Sequence, residues 1–193
     1  MDVKRLQFLA VLCCALMMSG LVPLLPRAAQ ADTDLLAADP FEEAVAGNYG
    51  DKVHAELVRG ASPNKADFQG RPYLLLASQY GASDSVRILL EFGARPQLGD
   101  RDGNTPLHRA AGGGYTDIID MLIKAGAAVD AVNREGLTPL MMAVTQQQAD
   151  AVKDLLDAGA DVTIADYAGR TALDIAHGGR NRAIERMIKQ AGG

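Results

Sequence analysis

The sequence has no tryptophan, and only five tyrosines and four phenylalanines among its 193 residues. A core must therefore be built from Leu, Ile, Val, Met and Ala, which suits packed helices and makes an all-α fold the first expectation. Cysteine is nearly absent as well: its two copies, Cys13 and Cys14, are adjacent near the N-terminus. Histidine occurs three times, as His54, His108 and His177, with no His-x-x-x-His or His-Glu-x-x-His pair, so neither a zinc site nor any cofactor is expected. No dense Lys/Arg run exists and the formal charge is −5, which removes the usual electrostatic basis for holding nucleic acid.

What is present begins with a leader. Lys4 and Arg5 form a short basic start, Leu6 to Leu25 are almost wholly apolar, and Ala29-Gln30-Ala31 puts small residues where a signal peptidase reads them. Residues 1–31 are therefore expected to be a signal peptide cleaved after Ala31, leaving Asp32 first. The alternative is a retained anchor, since the apolar run approaches the roughly 20 residues that span a bilayer. Pro23 and Pro26 interrupt its end, and Leu12 before Cys13 does not fit a lipoprotein site. Cleavage removes both cysteines, so the mature chain, 32–193, has no disulfide, thiolate nucleophile or Cys-ligated metal. It also removes Lys4, Arg5 and Arg27 against only Asp2, leaving a more acidic protein. An exported, cysteine-free chain without an Asn-x-Ser/Thr acceptor points to a periplasmic or secreted location, with no membrane association after cleavage.

The remaining chain is periodic. Asp67-Phe68-Gln69-Gly70, Asp100-Arg101-Asp102-Gly103, Asn133-Arg134-Glu135-Gly136 and Asp166-Tyr167-Ala168-Gly169 recur every 33 residues without a gap. The same period carries Leu74, Leu107, Leu140 and Leu173, then Ala77, Ala110, Ala143 and Ala176, and a Gly-Ala step at Gly93, Gly126 and Gly159. Within a unit, Thr105 can cap a helix whose first position is Pro106, where the missing amide hydrogen is no loss; Thr138 and Pro139 repeat the device. That helix ends near Gly81 or Gly114. A second helix carries Val86, Leu89 and Leu90, or Ile118, Ile119, Leu122 and Ile123, on one apolar face until the Gly-Ala step stops it.

With its 33-residue period and Thr105-Pro106-Leu107-His108, the chain resembles the ankyrin repeat family. The other units match less closely: Thr138-Pro139-Leu140-Met141 lacks the His, Thr171-Ala172-Leu173-Asp174 lacks Pro and His, and Pro72-Tyr73-Leu74-Leu75 is degenerate. The resemblance implies an all-α solenoid of five stacked helix pairs joined by projecting turns, with units 34–66, 67–99, 100–132, 133–165 and 166–193. The ends carry polar residues where inner units are apolar. Glu56 stands at the position of Leu89, Leu122 and Leu155, while Glu185 and Lys189 stand at those of Ile119 and Ile123, as solvent-facing caps require.

The resemblance also implies a function without catalysis: binding another protein, by a monomer, on the turns and first helices. Carried over by position, one turn row reads Phe68, Arg101, Arg134 and Tyr167, and the next Gln69, Asp102, Glu135 and Ala168. A third reads Arg71, Asn104, Leu137 and Arg170, while Gln79, Tyr80, Thr145 and Gln146 extend the surface along the helices. Two arginines between two aromatics is a composition favoured at binding hot spots, unless Asp102 and Glu135 neutralise the arginines within the free protein. His108 is expected to bond locally beside Thr105, and Gly112-Gly113-Gly114 to form a corner rather than a phosphate loop, since no Gly-Lys-Ser/Thr follows. Two roles stay open, a scaffold or protective factor for an exported protein and an immunity-type inhibitor of a toxic enzyme. An enzyme with a site on the concave face ranks third.

Overall fold

The computed structural model describes residues 39–179 and 181–192, so the leader, Ala31 and the start of the first unit lie outside the described residues. Among the described residues ten helices form five pairs: α1 (Pro40–Ala46) with α2 (Gly50–Val58), α3 (Tyr73–Gln79) with α4 (Ser83–Glu91), α5 (Pro106–Gly113) with α6 (Thr116–Lys124), α7 (Pro139–Thr145) with α8 (Ala149–Asp157), and α9 (Ala172–Gly178) with α10 (Arg182–Gln190). First helices pack on first helices and second on second, each pair also packing internally, which is the all-α solenoid expected from the period. Among the described residues no helix is long and apolar enough to cross a membrane.

Local chemistry starts the first helices where the sequence says it should. Thr138 Oγ1 accepts from the Met141 amide at 3.3 Å, and Thr171 and Asp174 cap each other reciprocally. The degenerate second unit uses another device. Tyr73 replaces the proline at the first helical position, and its buried hydroxyl donates to Asp39 Oδ2 at 2.7 Å across two units. Lys65 joins the same carboxylate, and the Phe41 ring meets Tyr73 edge-on at 5.0 Å. Asp39 also caps α1 through the Phe41 amide, so one side chain fastens the first unit to the second.

The core runs through the stack as one cluster. Leu74, Leu107 and Leu140 are buried, as are Val86, Leu89, Ile118, Ile119, Leu122, Val152 and Leu155, while Leu90 and Ile123 are half-buried at its margin. At the ends the polar substitutions are absorbed: Glu56 pairs with Arg59, and Glu185 takes both Lys189 and His177. Ile184 and Ile188 keep the inward side of α10 apolar.

Candidate functional site

The turn tips owe their shape to one residue per unit. Asp67 Oδ1 accepts the amides of Gln69 and Arg71 at 2.9 and 2.8 Å, and Asp100 Oδ1 those of Asp102 and Asn104 at 3.0 and 2.9 Å. Asn133 and Asp166 bond the same two amides of their own turns. A carboxylate or amide oxygen on a short stem can reach its own backbone two and four residues on, which is why only Asp or Asn occupies this position. Each turn then closes through an amide-to-carbonyl bond from the same residue, as in Asp67 N to Arg71 O at 3.0 Å.

Charge reinforces the turn. The second oxygen of Asp67 takes Arg71 Nε at 2.7 Å, that of Asp166 takes Arg170, and that of Asp100 takes Arg109 from the following helix at 2.5 Å. Burial pushes the Asp67 and Asp100 carboxyls up, but the amides and guanidiniums that face them pull further the other way, so both sit below the usual carboxylate range. The Arg170 amide leads the same net lowering at Asp166. Asn133 has no charge to offer, and its amide nitrogen instead donates to Asn104 Oδ1 of the preceding unit at 2.9 Å.

These bonds divide the residues expected on the surface. Phe68, Gln69, Arg101, Asp102, Arg134, Glu135 and Tyr167 are exposed at the tips, with Phe68 84% and Tyr167 76% accessible. Successive tips touch: the Arg134 amide donates to Asp102 O at 2.9 Å and the Tyr167 amide to Glu135 O at 3.1 Å. Among the described residues neither Arg101 nor Arg134 enters an ion pair, so Asp102 and Glu135 do not neutralise them here. The third row is different. Asn104 is buried between Asp100 and Asn133, Leu137 is half-buried against the core, and Arg71 and Arg170 are committed to Asp67 and Asp166. They build the turn rather than extend the ridge. Tyr80, Thr145 and Gln146 are exposed along the first helices, with Gln79 half-buried beside them.

His108 does more than bond locally. Its Nδ1 accepts the Thr105 amide at 3.1 Å, which leaves the proton on Nε2 to donate to the Leu137 carbonyl of the next unit at 2.9 Å. Sequence spacing shows the first bond but not the second, whose partner is a backbone oxygen. Burial holds this imidazole below the ordinary histidine value of 6.5. A group whose folded value is depressed stabilises the fold above its unfolded value and loses that contribution as pH falls through the folded one. The urea midpoint should therefore begin to fall below pH about 6.5, where the unfolded chain takes a proton that His108 refuses. It should fall again below about 4, as Asp67, Asp100 and Asp166 protonate. His108→Gln should lose the first stage only; a parent midpoint unchanged between pH 8 and 5 would count against the buried bridge.

Among the described residues no group of three or more His, Cys, Asp or Glu stands close enough to hold a metal ion. A comparison with curated proteins returns no match. The family model of ankyrin repeats, in three copies, matches residues 41–133 and again 118–192, well over half of the chain. Stacked, capped helix pairs at the same period, joined by self-bonded turns, leave one assignment: the chain belongs to the ankyrin repeat family.

Proposed function

We propose that this protein is exported and that, as a monomer in the periplasm, it holds or protects another exported protein, binding it on the turn tips and the adjoining first helices and catalysing nothing itself. Ankyrin repeats generally mediate protein–protein interaction, and the family is generally non-catalytic. The observation that carries the reading is the exposed ridge of Phe68, Arg101, Arg134 and Tyr167, two unpaired guanidiniums between two bare rings on tips that their own hydrogen bonds hold still. Rigid aromatic and arginine side chains bring contact area and directional bonding at small entropic cost, which is what a binding surface needs.

Photoreactive side chains placed at Phe68 or Tyr167 of the full chain should cross-link a partner in periplasmic extract, whereas the same group at Asp120 on α6 should not. Arg101→Ala with Arg134→Ala should abolish the adduct while moving stability by no more than about 0.5 kcal/mol, because neither arginine is buried or paired. An adduct that survives the double variant would move the binding surface to another face. Export is tested separately: residues 1–31 should deliver a reporter active only outside the cytoplasm, and the mature chain should begin at Asp32. Uncleaved chain in the membrane fraction would favour the anchor instead.

A further inference from the structure

One position on the first helices breaks the pattern of its neighbours. Leu76, Met142 and Ile175 occupy it in α3, α7 and α9, while α5 carries Arg109. Asp100 satisfies this guanidinium only in part: one terminal nitrogen is bonded, Nε is buried without a partner, and the side chain remains 28% accessible. An arginine held incompletely satisfied where α3, α7 and α9 are apolar, with Glu43 the other charged residue of the row in α1, calls for an explanation beyond packing.

The same helix face is stripped bare three and four residues on, at Gly112 and Gly113. Gly113 has a structural reason, since a Cβ there would fall 2.3 Å from the Tyr115 ring. Gly112 has none. A Cβ at Gly112 would meet only Met142 Cε at 3.7 Å and Gln146 Cγ at 3.8 Å, which is ordinary contact, and the backbone is helical. Alanine would fit and, in a helix, be worth about 0.5–1 kcal/mol more than glycine. The matching positions in α3 and α7 do carry side chains, Gln79 and Thr145, while α9 ends on Gly178 at that position. The floor of α5 thus has a gap beside its one arginine, at a loss of stability that packing does not return.

Charge is sorted across the three middle units in the same sense, although the first helices of the end units carry Glu42, Glu43 and Asp174. Helices α3, α5 and α7 contain no carboxylate, and Arg109 is their only charged residue. Behind them α4, α6 and α8 carry Asp84, Glu91, Asp117, Asp120, Asp150, Asp154 and Asp157 against three cations. In the turns the carboxylates of Asp67, Asp100 and Asp166 lie inside, and the guanidiniums bonded to them lie toward water. Along α3, α5 and α7 an anion meets guanidinium alone, with Asp102 and Glu135 as the carboxylates at the tips above, whereas along α4, α6 and α8 it meets mostly carboxylate.

We propose that the notch formed by Arg109 and Gly112 receives an Asp or Glu side chain from an extended acidic segment of the partner protein. The incoming carboxylate shares Arg109 with Asp100, the missing side chain at Gly112 lets the segment lie close to α5, and the free Arg101 and Arg134 at the tips of the same and the next unit receive its neighbours. This rests on the front face being the binding surface and adds the chemistry that the face selects.

The test is a titration of the full, isotope-labelled chain with a synthetic peptide of four glutamates flanked by glycines, and with its lysine counterpart, followed by amide NMR. The Gly112 and Gly113 resonances should move with the glutamate peptide and stay still with the lysine peptide. Arg109→Gln should weaken binding about tenfold or more, a loss of roughly 1.4 kcal/mol. Since Arg109 also steadies Asp100, Gly112→Leu serves as the second variant: its first carbon fits, so the chain should unfold as cooperatively as the parent yet bind at least as poorly as Arg109→Gln. Parent-like affinity in Gly112→Leu, no binding of the glutamate peptide, or shifts confined to α6 and α8 would each overturn the proposal. Cross-linking separates it from the reading it rests on. A partner lost with Arg101→Ala/Arg134→Ala but kept with Gly112→Leu removes the notch alone, while a partner kept by both removes the front face as well.

Discussion

Leu122→Ala should destabilise the stack by about 2–5 kcal/mol. Leu122 lies on the inward side of α6, fully buried, in the middle unit, so its side chain is enclosed by its own helix pair and by the units before and after. Truncation removes the transfer energy of the lost carbons and leaves a cavity that two neighbouring interfaces hold open. The same change at Leu57 of the first unit, which among the described residues has a neighbour on one side only, should cost less. Chemical denaturation of the two variants against the parent measures both values. A near-neutral Leu122→Ala would mean that α6 presents a different face to the core.

Gly136→Ala should come close to that loss although it adds only a methyl group. Gly136 has φ +78°, a left-handed conformation that costs an L-residue about 1–2 kcal/mol. The added Cβ would also fall 2.7 Å from the Tyr167 amide nitrogen and 3.1 Å from Asp166 Cα, which are backbone atoms of the next turn and cannot swing away. Gly169 is the internal control: its φ is +77°, and nothing lies within 4 Å of a Cβ built on it. Gly169→Ala therefore carries the conformational cost alone. The difference between the two alanine variants in urea denaturation reads the closeness of adjacent turns, and Gly136→Ala should also shift the Glu135 and Tyr167 amide resonances. Equal losses would mean that the turns stand further apart than the Tyr167-to-Glu135 bond requires.

The period gave the helix pairs, the stacking order and the tip residues, because each depends on where the backbone goes, and backbone paths repeat when Gly, Ala and Leu repeat. It did not give the fate of the side chains within a tip. Arg71 and Arg170 lie in the row beside Phe68 and Tyr167, yet they fold back four residues onto Asp67 and Asp166. Asn104 belongs to the same row and is drawn inward because unit four carries Asn133 where the others carry Asp, so that an amide must find an acceptor in the preceding turn. Arg109 could not be found by spacing at all. Its partner is nine residues upstream, and its meaning comes from Leu76, Met142 and Ile175 at the matching positions. The charged and amide groups were legible as composition; which of them face each other is a property of the closed turn.

Several bonds that complete a unit reach forward along the chain. Asp39 closes on Lys65 and Tyr73, His108 on the Leu137 carbonyl, and the Asp102 and Glu135 carbonyls on the Arg134 and Tyr167 amides. A nascent polypeptide emerging N-terminus first, from a ribosome or through a membrane pore, can therefore form each helix pair at once but must wait for about 10–15 further residues, the turn that opens the next unit, before that pair is sealed. Synthesis or translocation arrested at the end of the third unit would leave it with an imidazole proton and one turn carbonyl still hydrated, an open end to which only the next stretch of the same chain is cut to fit.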